Sequence, residues 1–208
     1  MRLILISDTH SCHDELGELP EGDVLIHAGD MTNQGTFEEV EIFCNWFKSQ
    51  PHKYKILIAG NHDFLFQTNP KVAQELVRGV HYLQDSEVVL EDFKFYGSPW
   101  QPEFHNWAFN LPRGEQLERV WSRIPSDTDI LITHGPPAGT LDKNRSGFPC
   151  GCEDLAKRLE DLEKLKLHVF GHIHEARGHT TYGDLQLVNA SSINLYHTEM
   201  REPFVVDL

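Results

Sequence analysis

The sequence predicts an α/β fold in which two stacked, mixed β-sheets lie between outer helices. Short apolar runs typical of buried strands alternate along the chain with amphipathic segments typical of helices. Two later stretches, residues 87–96 and 180–188, have the pattern of hairpin strands, which adds antiparallel pairs. A length of 208 residues and a hydrophobic content of 39% suit one compact domain, residues 1–208.

The individual elements follow from apolar periodicity and from capping residues. Five apolar runs predict core strands at residues 3–6, 24–26, 56–58, 130–132 and 167–170. Four amphipathic segments predict helices at residues 37–49, 71–79, 116–123 and 152–164. Thr36 can cap the first helix, with Glu39 completing a capping box, and Pro70 marks the start of the second.

Short polar clusters follow the predicted core strands. In chain order they are Asp8-Thr9-His10, Gly29-Asp30, Gly60-Asn61-His62-Asp63, His134-Gly135 and Gly171-His172-Ile173-His174. Because the carboxyl ends of parallel strands gather at one edge of a sheet, these clusters are expected to share one crevice. The loop at residues 135–151, which holds four glycines and three prolines, is a predicted rim of that crevice.

The residue types in these clusters are metal ligands. Asp8 and His10 stand two positions apart, so in an extended segment both point to one side and can hold a first ion. The same spacing recurs at His172 and His174. Asn61 and His134 offer an amide oxygen and an imidazole to a second ion, and Asp30 is the natural bridge between the two ions. Such ions lie about 3.5 to 4 Å apart and share a water or hydroxide, the expected nucleophile.

Charge and proton transfer indicate a phosphate ester as the substrate. Two divalent cations set against two carboxylates and one hydroxide leave a net positive charge that can hold a phosphoryl oxygen. His62 is not needed as a ligand and is the predicted general acid for the departing alkoxide. Asp63 is expected to hold the imidazole of His62 and to keep it protonated near neutral pH.

The motifs together resemble the pattern of the calcineurin-like metallophosphoesterase superfamily, D-x-H, G-D, G-N-H-[DE], H and G-H-x-H. The resemblance implies a four-layer αββα sandwich of two mixed β-sheets flanked by helices. It assigns Asp8, His10, Asp30 and His174 to the first metal. It assigns the second metal to Asp30, Asn61, His134 and His172.

A narrower resemblance is to the metallophosphoesterase domain-containing phosphodiesterases. Its signals lie in residues 97–102, 106–114, 133–137, 168–175 and 189–191. Some members of that group have glycine in place of the first histidine of G-H-x-H, whereas this chain keeps His172. The resemblance implies hydrolysis of cyclic nucleotides and of artificial aryl phosphodiesters. The mixture of imidazole, carboxylate and amide oxygen donors suits two divalent ions among manganese, iron, zinc or cobalt. Manganese is favoured.

Two alternatives share the same site. One is a phosphomonoesterase or protein phosphatase, and the other is a non-catalytic scaffold on the same fold. The intact ligands and His62 weigh against a scaffold, which has no physical need for them. Trp100, Phe104, Trp107 and Phe109 form a candidate wall for base stacking, although aromatic residues are more often part of the core.

Composition restricts the partners and the compartment. A net charge of −14 and a pI near 5.3 oppose binding of nucleic-acid polymers or an anionic membrane and favour a small substrate. The four cysteines lack zinc-type spacing and are expected to be reduced thiols. No signal-peptide core or membrane-spanning run is evident, so a cytoplasmic location is expected. The eight histidines outside the motifs, His197 among them, are assigned no chemistry.

Overall fold

Two large β-sheets dominate the computed structural model, which describes residues 1–208. Its strands are β1 (Arg2–Ile6), β2 (Val24–Ala28), β3 (Tyr54–Ile58), β4 (His81–Tyr82), β5 (Ser86–Leu90), β6 (Phe93–Ser98), β7 (Gln101–Pro102), β8 (Asn110–Leu111), β9 (Ile130–Thr133), β10 (Leu167–Phe170), β11 (Gly178–Tyr182), β12 (Leu185–Asn189) and β13 (Phe204–Asp207). Its helices are α1 (Phe37–Ser49), α2 (Phe64–Thr68), α3 (Pro70–Leu76), α4 (Glu115–Trp121) and α5 (Glu153–Leu159).

Both sheets are mixed, as the sequence predicts. The first sheet has the order β13-β1-β2-β3-β4, in which only β13 is antiparallel to its neighbour. The second has the order β11-β12-β10-β9-β6-β5, with four parallel strands at its centre and an antiparallel strand at each edge. The two edge pairs, β5 with β6 and β11 with β12, are the predicted hairpins.

The main core lies between the sheets. Leu3 and Ile26 of the first sheet pack in one cluster with Ile132 and Val169 of the second, and all four are fully buried. The outer face of each sheet is buried as well, against helices. Because both faces are covered, the central strands read as continuous apolar runs and not as alternating ones.

The helices form the two outer layers. Phe43 of α1 and Phe66 of α2 pack in a second cluster against Ile4 and Leu25 of the first sheet. Trp121 of α4 and Leu155 of α5 pack in a third cluster against the second sheet. The arrangement is the four-layer αββα sandwich that the sequence predicts. None of the helices is long and apolar enough to cross a membrane.

The predicted capping box is present, but several helix boundaries differ from the prediction. The Glu39 N–H donates to Thr36 Oγ1 at 3.2 Å and the Thr36 N–H to Glu39 Oε2 at 3.0 Å, so the capping box of α1 is present. The helix predicted at residues 152–164 ends as α5 at Leu159. Beyond it the backbone continues in tight i to i−3 turns that bury Leu162 and Leu165 against the second sheet. Helix α2 was not predicted, because its five residues are too few to show a period.

Candidate metal centre

All seven predicted metal ligands meet at one edge of the sandwich. They follow the carboxyl ends of three strands of the first sheet and two of the second, as Asp8 and His10 after β1, Asp30 after β2, Asn61 after β3, His134 after β9, and His172 and His174 after β10. All are buried except His172, which is half-buried. The parallel central strands explain the convergence, since their carboxyl ends point to the same edge.

One group of ligand atoms surrounds the predicted first metal position. The Nε2 atoms of His10 and His174 lie 3.3 Å apart, and His174 Nε2 lies 3.3 Å from Asp8 Oδ1. His10 Nε2 also lies 3.8 Å from Asp30 Oδ2. Two imidazole nitrogens that face each other beside two carboxylates form a donor set that suits one divalent ion.

A second group shares the Asp30 carboxylate. Asp30 Oδ2 lies 3.2 Å from His134 Nε2, which lies 3.0 Å from Asn61 Oδ1. His172 offers a further nitrogen, and the ligand atoms of Asp30, His134 and His172 all lie within 4.8 Å of one another. Asp30 Oδ2 therefore faces both groups, and the donors present fit two divalent ions held side by side.

Hydrogen bonds from surrounding groups orient these ligands. His134 Nδ1 donates to the Ala28 carbonyl at 2.9 Å, which leaves Nε2 with a free lone pair. The Asp8 carboxylate accepts the His172 N–H at 3.0 Å and the Ser191 hydroxyl at 2.9 Å. Asp30 Oδ1 accepts the N–H of His62 at 2.8 Å. The role of Ser191 was not predicted, because residues 189–191 served only as a signal of the resemblance and nothing in their sequence indicates a contact with Asp8.

The backbone at four ligands is in the left-handed region. The φ angles are 51° at Asp8, 42° at His10, 56° at Asp30 and 70° at His172. Such angles are costly for residues other than glycine and persist where the surrounding structure holds them. Their concentration in one crevice is typical of a functional site.

The buried acids and bases of the crevice shift one another's pKa values. Burial opposes ionisation of Asp8 and Asp30, but the charges and hydrogen bonds of His174 and His134 outweigh it. The pKa of each carboxyl therefore lies below its ordinary value. Burial would lower the pKa of His134, but the Asp30 carboxylate raises it to about 9. Burial would also lower the pKa of His174, but the hydrogen bond with the Asp8 carboxylate raises it above its ordinary value.

The other two imidazoles are neutral at physiological pH. Burial lowers the pKa of His10 to about 4 and that of His172 to about 3. A neutral imidazole is the form that binds a metal. Each metal position therefore has one imidazole ready for an ion, His10 at the first and His172 at the second, whereas His134 must first release a proton.

His62 faces the crevice as predicted, but Asp63 does not hold it. His62 Nδ1 donates to the Asn33 carbonyl at 2.7 Å, and its ring lies edge-on to His10 with 4.8 Å between centroids. The buried Asp63 carboxylate turns the other way and accepts the N–H groups of Gly60 at 2.7 Å, Asp30 at 2.9 Å and Thr32 at 3.1 Å. The predicted contact is wrong, because the side chains of these adjacent residues diverge.

Asp63 instead connects, by hydrogen bonds, the two loops that carry Asp30 and Asn61. Its carboxylate joins the loop after β2 to the loop after β3, and the Thr32 hydroxyl also donates to it at 2.6 Å. Burial and the charge of Asp30 raise the pKa of Asp63 to about 7, against the hydrogen bonds from Thr32 and Gly60. Asp63 is a positioning residue for Asp30.

A cavity of about 590 Å³ opens over the two ligand groups. Its wall includes Phe104, Trp107 and Phe148, and the predicted rim loop at residues 135–151 contributes several lining residues. Trp100 and Phe109 do not face it: the Trp100 indole donates to Asp85, and Phe109 is fully buried. The predicted aromatic wall is therefore reduced to two of its four members and gains Phe148.

Arg113 is the only lysine or arginine that lines the cavity, and it is already engaged. Its guanidinium donates to the carbonyl of Gly151 at 2.7 Å, to that of Cys150 at 3.1 Å and to the Glu153 carboxylate. No lysine or arginine side chain that lines the cavity is therefore free to pair with a substrate anion.

His197 lines the same cavity, although the sequence assigned it no chemistry. Its ring lies 4.8 Å from that of His10 and 5.9 Å from that of His174, centroid to centroid. No spacing or motif could have revealed it, since it follows the last motif by more than twenty residues.

A two-sheet sandwich with two metal-ligand groups at its strand ends defines a metallophosphoesterase. Comparison with known proteins agrees, because the model of the calcineurin-like phosphoesterase family matches residues 1–176. The chain belongs to that family.

Sequence similarity to known relatives extends over the whole chain. Metallophosphoesterase domain-containing protein 1 of Homo sapiens is 43% identical, and the match covers 100% of this chain and 71% of the relative. A UPF0046 protein of Caenorhabditis elegans is 36% identical, with 100% and 81% covered. The solved structure of an archaeal phosphodiesterase has the same fold with a TM-score of 0.54 and 16% identity, covering 100% of this chain and 93% of that one.

Proposed function

We propose that this protein is a metal-dependent phosphodiesterase that hydrolyses small phosphodiesters, including cyclic nucleotides, at a two-ion centre. Asp8, His10 and His174 would hold one ion, and Asn61, His134 and His172 the other, with Asp30 shared between them. When bound, two divalent ions supply Lewis acidity that activates water and neutralises charge on the phosphoryl group. Manganese is the favoured ion among manganese, iron, zinc and cobalt, because carboxylate and amide oxygens suit it.

His62 would act as the general acid. The hydrogen bond from its Nδ1 to the Asn33 carbonyl holds the ring at the edge of His10 and leaves Nε2 toward the cavity. A proton on Nε2 can pass to the departing alkoxide, which is the group that most needs stabilisation as the P–O bond breaks. Trp107 packs on the other side of the His62 ring with 4.7 Å between centroids and limits its rotation.

The observation that carries the preference for diesters is the absence of a free lysine or arginine side chain in the cavity wall. A phosphomonoester is largely a dianion near neutral pH, whereas a diester carries a single negative charge. Arg113 is bound to two carbonyls and to Glu153, and Glu103 and Glu175 add negative charge to the wall. A monoanionic diester therefore suits this wall better than a dianion.

Aromatic side chains support a nucleotide as the substrate. Phe104 is 54% exposed and Phe148 is 65% exposed, and both line the cavity. Exposed aromatic faces accept a nucleobase by stacking, and a volume near 590 Å³ is within the ordinary range for small-molecule sites. The net charge of −14 also favours a small substrate over a nucleic-acid polymer or a membrane surface.

The same proposal includes a cytoplasmic location. All four cysteines are unpaired, which suits a reducing compartment.

The test is turnover by metal-depleted protein reconstituted with manganese, iron, zinc or cobalt. Substrates are an aryl phosphodiester, the matching aryl phosphomonoester, and 2′,3′- and 3′,5′-cyclic nucleotides. We expect metal-dependent diester cleavage that exceeds monoester cleavage and is lost in Asp30→Asn. The matched control is Asp184→Asn, which changes an exposed carboxylate in the turn between β11 and β12. Faster monoester cleavage would favour a phosphomonoesterase, and no turnover with two ions bound would favour a scaffold.

A further inference from the structure

His197 lies beside the first metal position without belonging to the seven ligands. One nitrogen from each of His10, His174 and His197 lies within 4.8 Å of the other two. The ring of His197 stacks on that of His174 with an interplanar angle of 29°. His10 and His174 both belong to the first ligand group, so His197 extends that group and not the second.

Hydrogen bonds within its own loop fix the position of His197. The Asn194 side-chain oxygen accepts the N–H groups of Tyr196 at 3.1 Å and Thr198 at 3.0 Å. The His197 N–H donates to the Asn194 carbonyl at 2.9 Å, and φ at His197 is 53°. The turn is thus held by one asparagine, and it directs the imidazole over the crevice.

His197 has no competing structural role. Neither ring nitrogen hydrogen-bonds to another protein group, although the ring contacts two buried histidines. It also lies outside residues 1–176, the part of the chain that matches the family model.

We propose that His197 is an additional protein ligand of the first ion. This inference rests on the proposed two-ion centre. Two nitrogens bound to one ion through bonds of about 2.1 Å lie about 3 to 3.4 Å apart at ordinary ligand angles. The nitrogens of His10, His174 and His197 lie within 4.8 Å of one another, so His197 would move by no more than about 2 Å to bind the same ion. The imidazole is exposed on one side, and rotation of its side chain supplies that movement.

With His197 bound, the two ions would have different sets of ligands. The first ion would have three imidazoles and two carboxylates, whereas the second would have two imidazoles, one amide oxygen and the shared carboxylate. More nitrogen donors raise the affinity for zinc and cobalt relative to manganese. We therefore expect the first ion to bind more tightly than the second and, with His197 as a further nitrogen donor, to be zinc or cobalt in preference to the manganese favoured for the seven ligands alone.

The test is titration of the metal-depleted full chain with Zn²⁺ and with Co²⁺, followed by calorimetry and by the visible spectrum of Co²⁺. The variant is His197→Asn, because asparagine tolerates the left-handed backbone at this position and lacks the imidazole. The matched control is His179→Asn, which changes an exposed histidine on β11. We expect His197→Asn to weaken the tighter of two sites by roughly 10- to 100-fold and to alter the Co²⁺ absorption, with the control unchanged.

The outcomes separate this inference from the proposed function. If His197→Asn binds both ions as tightly as the unchanged protein, and with the same Co²⁺ spectrum, His197 is not a ligand. A raised KM for a phosphodiester with unaltered metal binding would also overturn the inference and assign His197 to the substrate. If the unchanged protein itself binds fewer than two ions, the two-ion proposal fails with it.

Discussion

Gly171 is the position where one added carbon most directly disturbs the first metal site. A Cβ built there lies 2.1 Å from Asp8 Oδ2 and 2.2 Å from Ser7 Oγ. The φ angle of Gly171 is not in the left-handed region, so alanine meets no conformational penalty there. Gly171→Ala is therefore a steric perturbation of the Asp8 carboxylate and of Ser7, whose Cβ would lie 2.8 Å from the added carbon.

The size of the effect follows from how firmly Asp8 is held. An ordinary contact begins near 3.4 Å, so Asp8 Oδ2 must retreat by about 1.3 Å. That movement breaks the hydrogen bonds from the His172 N–H and the Ser191 hydroxyl. Overpacking of this kind costs about 1 to 3 kcal/mol. Metal–ligand distances tolerate only about 0.2 Å, so the first ion should be lost.

The assay is metal content after reconstitution, together with the free energy of unfolding in denaturant. We expect Gly171→Ala to fold, to be destabilised by about 1 to 3 kcal/mol and to retain no more than one ion. Gly178→Ala is the matched control, since the nearest atom to its Cβ would be the flexible end of the Leu141 side chain, at 3.1 Å, and the nearest backbone atom would lie at an ordinary contact distance of 3.8 Å. A Gly171→Ala protein that holds two ions and turns over normally would refute this reasoning.

Four further changes test other parts of the site and fold. His62→Ala should keep both ions but lower turnover by roughly 10²-fold, whereas full activity would remove His62 from the mechanism. Asp63→Asn should lower the free energy of unfolding by about 1 to 3 kcal/mol, because buried N–H groups lose their acceptor; an unchanged denaturant midpoint would contradict this. The raised pKa of His134, about 9, means that an ion displaces a proton below that pH. Affinity for the second ion should therefore rise from pH 6 to pH 9, and calorimetry that shows no proton release would contradict this. Thr36→Ala should cost about 1 kcal/mol of stability through loss of the helix cap, and thermal unfolding at the original temperature would contradict this.

The fold and the convergence of the seven candidate ligands could be predicted because they depend on strong, local signals. Strands covered on both faces read as uninterrupted apolar runs, and the polar residues that follow them fall at one edge of the sheets. The capping box of Thr36 and Glu39 spans only four residues, so the sequence alone specifies it. These features require no knowledge of which distant segments meet.

The remaining features depend on tertiary placement. Nothing in the order of His62 and Asp63 shows that one side chain faces the cavity and the other the interior. Trp100 and Phe109 belong to a run of aromatic residues, and only packing decides which members are buried. His197 reaches the crevice because hydrogen bonds to Asn194 hold the turn that carries it. No periodic pattern in the sequence predicts a contact of this kind.

The central claim is that Asp30 joins two ligand groups into one two-ion centre. Anomalous diffraction from crystals of the full chain grown with manganese would test it directly. We expect two peaks on either side of the Asp30 carboxylate, about 3.5 to 4 Å apart. One peak would lie beside His10 and His174, and the other beside Asn61 and His134. A single peak, or two peaks of which neither lies within bonding distance of Asp30, would contradict the claim.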